Sequence, residues 1–129
     1  MKGWGGLNRR NFPRAIYPCL IIIRQARAGL DEALLTHTEN IGMGGVCVIL
    51  KKSIKLFTLV EIELDLLDTI SNIKCEGKIV WSVQRKEMEE KKSSFFDTGI
   101  EFMNITARDQ QRLEDVMERV LKINPQAQI

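Results

Sequence analysis

From Val60 to Leu66 the chain alternates without a break: Val60, Ile62, Leu64 and Leu66 fall on one parity, Glu61, Glu63 and Asp65 on the other. Successive side chains of a strand point to opposite faces, so Leu59 to Leu66 is predicted as a β-strand with one dry and one wet side. The next segment repeats the pattern. After a turn around Asp68 to Asn72, the residues Ile73, Cys75, Gly77, Ile79, Trp81 and Val83 share one parity while Lys74, Glu76, Lys78 and Ser82 take the other. Half-wet strands joined by a short turn imply antiparallel pairing, because parallel strands are apolar on both faces. Gly77 is the candidate site for a bulge in the second strand, and on its parity Trp81 belongs to the core.

Four further strands are expected: Tyr17 to Arg27 around Ile21-Ile22-Ile23, Ala33 to Glu39 after a turn at Ala28-Gly29-Leu30-Asp31, Val46 to Leu50, and Thr98 to Phe102 with Ile100 and Phe102 inward. The charged run Gln84 to Ser94 has no apolar period and is read as an exposed hairpin tip without a binding role. The period then changes. Leu113, Val116, Met117, Val120 and Leu121 make the stripe of an amphipathic helix, started near Ala107 by Thr106 with Asp109 and ended near Ile123 ahead of Asn124-Pro125. Six antiparallel strands and one C-terminal helix predict a mainly β fold: a six-stranded antiparallel β-barrel covered by the helix.

The 129 residues suffice for one globular domain, expected over residues 9–123 between a loose, glycine-rich segment 1–8 and a tail 124–129. A net charge of +2 is too mild for generic nucleic-acid or membrane binding, but Arg9, Arg10, Arg14, Arg24 and Arg27 crowd the first quarter of the chain. A local anion site is therefore expected. Cys19, Cys47 and Cys75 form no CxxC pair, which argues for a reducing, cytoplasmic setting and for thiols packed as small hydrophobes. No apolar run approaches the length of a membrane span, and no signal peptide is evident. The one histidine, His37, has no metal-ligand spacing around it, and no nucleophile elbow, Walker loop or paired carboxylates occur, so neither metal, cofactor nor catalysis is expected.

Four motifs stand in order: Arg10-x-x-x-Arg14, Asn40-x-Gly42-x-x-Gly45, Gly77-Lys78-Ile79-Val80-Trp81, and Thr98-Gly99-Ile100-Glu101-Phe102 before a helix. Each is common alone; the ordered set resembles the PilZ domain family of bacterial cyclic di-GMP receptors over nearly the whole chain. That resemblance implies a split barrel and a nucleotide site in which Arg10 and Arg14, carried by an extended arm, hold guanine and phosphate. Asn40 would bond a guanine edge from the barrel side, and Gly45 would let the backbone turn and approach the ligand. The chemistry is apt: guanine O6 and N7 form an acceptor pair that fits a guanidinium fork, and arginine also stacks on base planes.

Arg9 adds a third guanidinium, expected to help hold a second, stacked cyclic di-GMP. Trp81 is a further candidate contact if its ring turns out of the core. One departure is Gly42, where the family has Ser or Ala; a lost hydroxyl contact would remove about 0.5–1.5 kcal/mol. The resemblance implies a second-messenger receptor that closes its arginine arm on the ligand and signals in trans to an unidentified protein partner in motility, attachment or exopolysaccharide control. The alternative is a PilZ-like interaction adaptor that does not bind the nucleotide. A barrel binding single-stranded nucleic acid is disfavoured by the mild charge and the core parity of most aromatics.

Overall fold

In the computed structural model, which describes residues 14–25, 33–68, 70–85 and 95–128, the alternating segments become strands. β1 is Arg14–Ala15, β2 Leu20–Gln25, β3 Ala33–Gly42, β4 Gly45–Leu50, β5 Leu59–Asp65, β6 Ile73–Gln84 and β7 Phe96–Phe102; the helix α1, Ala107–Ile123, follows. Every pairing is antiparallel, in the order β3-β2-β5-β6-β7-β4, and β4 returns to β3. Six strands thus close into the expected barrel, which removes free sheet edges. β3 and β7 run longer than their apolar patterns, because ladder pairing continues past the last alternating residue, as at Val83 opposite Asp97 and Asn40 opposite Cys47.

The core fills from the inward parities. Val60, Ile62, Leu64 and Leu66 are all buried, with Ile73 and Ile79 of β6 and Ile100 of β7 against them. Each such side chain contributes about 1.5–3 kcal/mol of burial. Over one side of the barrel lies α1, which buries Leu113, Val116 and Met117. Its start matches the capping pattern: the Thr106 hydroxyl accepts the Asp109 N–H at 3.1 Å. Arg112 pins the helix to the β5–β6 turn, donating through Nη2 to Asp68 at 3.2 and 3.3 Å and through Nη1 to Asp109 at 3.2 Å. No helix among the described residues is long and apolar enough to cross a membrane.

β1 is an addition to the barrel. It takes the side of β3 that β2 leaves after His37, with Arg14 opposite Gly42 and Ala15 opposite Ile41. Its other edge meets the chain's end: Ile16 N–H donates to the Ala127 carbonyl at 2.8 Å, and Ala15 bridges to Gln128. Arg14 is therefore held on a strand between β3 and residues 127–128, not on a loose arm. Below it, Thr38 ties the β1–β2 link down by accepting the Cys19 N–H at 3.0 Å and donating to the Tyr17 carbonyl at 2.6 Å.

The bulge expected at Gly77 lies elsewhere. β6 slips its register against β7 between Ile79 and Trp81, so the extra residue is Val80. Gly77 stays regular and buried, and what it supplies is room: a Cβ there would collide with the side chains of Ile62 and Ile100. Past Val80 the parity reverses. Trp81 and Val83, expected inside, stand on the outer surface at 41% and 57% exposure.

Candidate ligand face

A second bulge complements the first. β3 slips its register against β4 between Thr38 and Asn40, which leaves Thr38 and Ile41 buried and turns Asn40 to the outside. In a regular strand, with no bulge at Glu39, the side chain of Asn40 would share the inward parity of Thr38. The two bulges act on one cross-strand row. Asn40 pairs with Cys47, Cys47 with Gly99, and Gly99 with Trp81, so the row crosses β3, β4, β7 and β6 in turn. Followed along the barrel wall, the row is three strand spacings, about 14 Å, long.

Each position in the row has a physical job. Arg14 reaches over from β1 and donates its Nε–H to Asn40 Oδ1 at 2.9 Å, which fixes the plane of both side chains at one end. At the other end the Trp81 indole lies across Gly99: a Cβ on Gly99 would collide with the ring at Nε1 and Cε2 and lie 2.8 Å from Cδ1. Glycine here is a seat for the aromatic ring, which packs down on the strand and keeps its other face outward. Between them, Cys47 is buried, as expected of the thiols, but it belongs to the outer parity of β4 and lies outside the main core cluster, beneath this face. Burial pushes its pKa up, with Asp97 adding to the effect and Arg14 opposing it, so at neutral pH it is an uncharged thiol. Arg85 and Asp97 flank the row as an ion pair at 3.2 Å. Arg85, the first charge of the run expected to form an exposed hairpin tip without a binding role, thus borders this face.

Of the expected site residues, the structure therefore joins Arg14 to Asn40 and sets Trp81 at the far end of the same cross-strand row, with Cys47 and Gly99 between them. Gly42 lies opposite Arg14, buried in the β1–β3 pair. Gly45 has a steric reason of its own. Its backbone is not in the left-handed region; instead a Cβ would collide with the Ile100 carbonyl oxygen and sit 3.1 Å from Ile100 C and 3.2 Å from Glu101 Cα. Its glycine lets β4 approach β7 rather than turning the chain. Arg9 and Arg10 lie outside the described residues, as do the turn expected at residues 28–31 and most of the hairpin tip.

A family model described as PilZ domain matches residues 8–119. No curated protein matches the sequence. Among solved structures, the PilZ domain of Escherichia coli YcgR with c-di-GMP is similar at TM-score 0.66 and 14% identity, covering 88% of this chain and 92% of that one. The MrkH–c-di-GMP complex of K. pneumonia is similar at TM-score 0.72 and 18% identity, and the Bacillus subtilis inhibitor of motility MotI at 0.71 and 21%. This chain is covered to 92% and 90% in those two comparisons and spans only 55% and 53% of their lengths. At these identities the likeness is one of fold, and it agrees with the barrel, the added strand and the C-terminal α-helix among the described residues. With its family model matched over most of its length, the chain belongs to the PilZ domain family.

Proposed function

We propose that this protein is a cyclic di-GMP receptor whose ligand lies along the row from Arg14 to Trp81. The observation that carries this reading is the convergence of two bulges on a single row, which turns Asn40 and Trp81 outward on the face that Arg14 overhangs. A purely structural barrel has no need to spend two register slips on exposing an amide and an indole. The chemistry suits a purine nucleotide: a guanidinium fork and an amide for a guanine edge or phosphate at one end, an open aromatic face for a base at the other. Two of the similar structures are described as holding c-di-GMP, which supports the same ligand here.

On this reading Arg14 and Asn40 are already in place, and the segment carrying Arg9 and Arg10 folds over the bound nucleotide from the N-terminal side. Arg9 would then reach a second, stacked ligand molecule. The closed segment changes the surface shown to a partner protein, an order–disorder switch that signals without chemistry. On this reading motility is one output, in keeping with the inhibitor of motility among the similar structures. Gly42 favours one competing reading, an adaptor of the same fold that has lost the nucleotide.

Calorimetric titration with cyclic di-GMP, with GTP as control, separates the two. The receptor reading expects saturable heat for cyclic di-GMP alone, at two molecules per chain if Arg9 holds a second nucleotide and one if it does not. No heat and no thermal shift at high micromolar ligand would leave the adaptor.

A further inference from the structure

The β4–β5 connection, residues 51–58, breaks a local rule for no gain in folding. Its last four residues, Lys55-Leu56-Phe57-Thr58, form a turn closed by the Thr58 N–H to the Lys55 carbonyl at 3.2 Å. The third position holds Phe57 at φ 68°, the left-handed conformation that turns of this kind normally give to glycine. Phe57 receives little burial in return, being 66% exposed. Backbone strain around an exposed aromatic is a reason to look for something the ring meets outside the chain.

The surroundings give that partner a chemistry. Leu56 and Leu59 flank the ring and are about half exposed, while Ile54 is buried and anchors the connection to the core. Lys51, Lys52 and Lys55 are exposed on the same short connection, Lys78 stands opposite Leu59 on β6, and no acidic residue falls between positions 51 and 60. The overall charge of +2 conceals this local cluster. The turn is also fixed in place: Phe57 N–H donates to the Ile79 carbonyl at 2.7 Å, and Ile79 N–H to the Thr58 carbonyl at 3.0 Å.

We propose that this turn is a docking tip for the surface of an anionic phospholipid bilayer, with Phe57 and Leu56 entering the headgroup–acyl boundary and the lysines meeting the lipid phosphates. An apolar pair at the crown of a turn with ammonium groups around it matches a surface that is soft, apolar beneath and negative on top. A protein partner would instead have to offer a pocket shaped to the crown. The contact is peripheral and inserts no strand or helix. It is independent of nucleotide binding, although the turn bonds to β6, the strand that carries Trp81.

Co-sedimentation of the full chain with vesicles tests it. Vesicles of phosphatidylcholine with phosphatidylglycerol should retain the protein at low salt, and vesicles of phosphatidylcholine alone should not. Phe57→Gly removes the ring at a backbone position glycine adopts freely, so it should melt no lower than the parent and bind about tenfold more weakly. The triple variant K51A/K52A/K55A should lose about a hundredfold. Arg14→Ala should bind vesicles as the parent does. Equal binding by the parent and the two tip variants, failure to bind the anionic vesicles, or a loss in Arg14→Ala matching that of the triple variant would overturn the proposal. A melting temperature well below the parent's for Phe57→Gly would do so too, because the ring would then belong to the fold.

Discussion

Arg14→Ala is expected to weaken cyclic di-GMP binding by roughly 10- to 150-fold, the equivalent of about 1.5–3 kcal/mol for charge-assisted hydrogen bonds. Two contributions add in this variant: the guanidinium itself is lost, and Asn40 loses the 2.9 Å bond that sets its plane. The fold should be nearly unaffected, because β1 pairs with β3 and with residues 127–128 through main-chain groups that alanine retains. Arg14→Lys should recover little of the affinity, since an ammonium keeps the charge but not the planar fork or the Nε donor. Calorimetry for affinity beside thermal melting for stability checks both statements. A variant that loses stability along with affinity would place Arg14 in the framework instead of the site.

The largest effect on stability is expected at Gly45. In Gly45→Ala the new methyl group meets backbone atoms of Ile100 and Glu101, which cannot rotate away, so β4 and β7 must part where they pair. A cost of about 3 kcal/mol is expected, lowering the melting temperature by roughly 10–15 °C for a domain of this size. Gly44→Ala is the control: a Cβ there meets nothing within 4 Å, so its melting temperature should stay within a few degrees of the parent's. Equal behaviour of the two variants would contradict the steric account of Gly45. Gly45, a motif glycine two residues before Cys47 on β4, thus has a structural duty, and a loss of binding in Gly45→Ala is interpretable only beside its melting curve.

Much of the barrel was legible because alternation is local. The parity of Val60 to Leu66 and the change of period at Ala107 each need only a few neighbouring residues to be read, and both match the strand and helix observed. The candidate site was legible only through motif resemblance, and two of its features escaped for physical reasons. A bulge shifts parity by one residue without altering composition, so nothing at Val80 or Glu39 announced the register slips, or that Trp81 would leave the core parity. Gly77, the residue that did look like a bulge, is glycine because Ile62 and Ile100 close over it. The roles of Cys47 and Gly99 depend on register between strands distant in sequence, which no local window contains. Phe57 is the opposite case, a residue whose turn position favours glycine and whose left-handed backbone only the structure reveals.

The most direct test of the central claim is an amide-resolved NMR titration of the protein with cyclic di-GMP. The account predicts that the largest shifts fall on the Trp81 indole N–H and on the backbone amides of Asn40, Cys47 and Gly99, with α1 and the outer faces of β2 and β5 scarcely moving. Shifts centred on α1 or on β2 and β5, or none at saturating ligand, would contradict it.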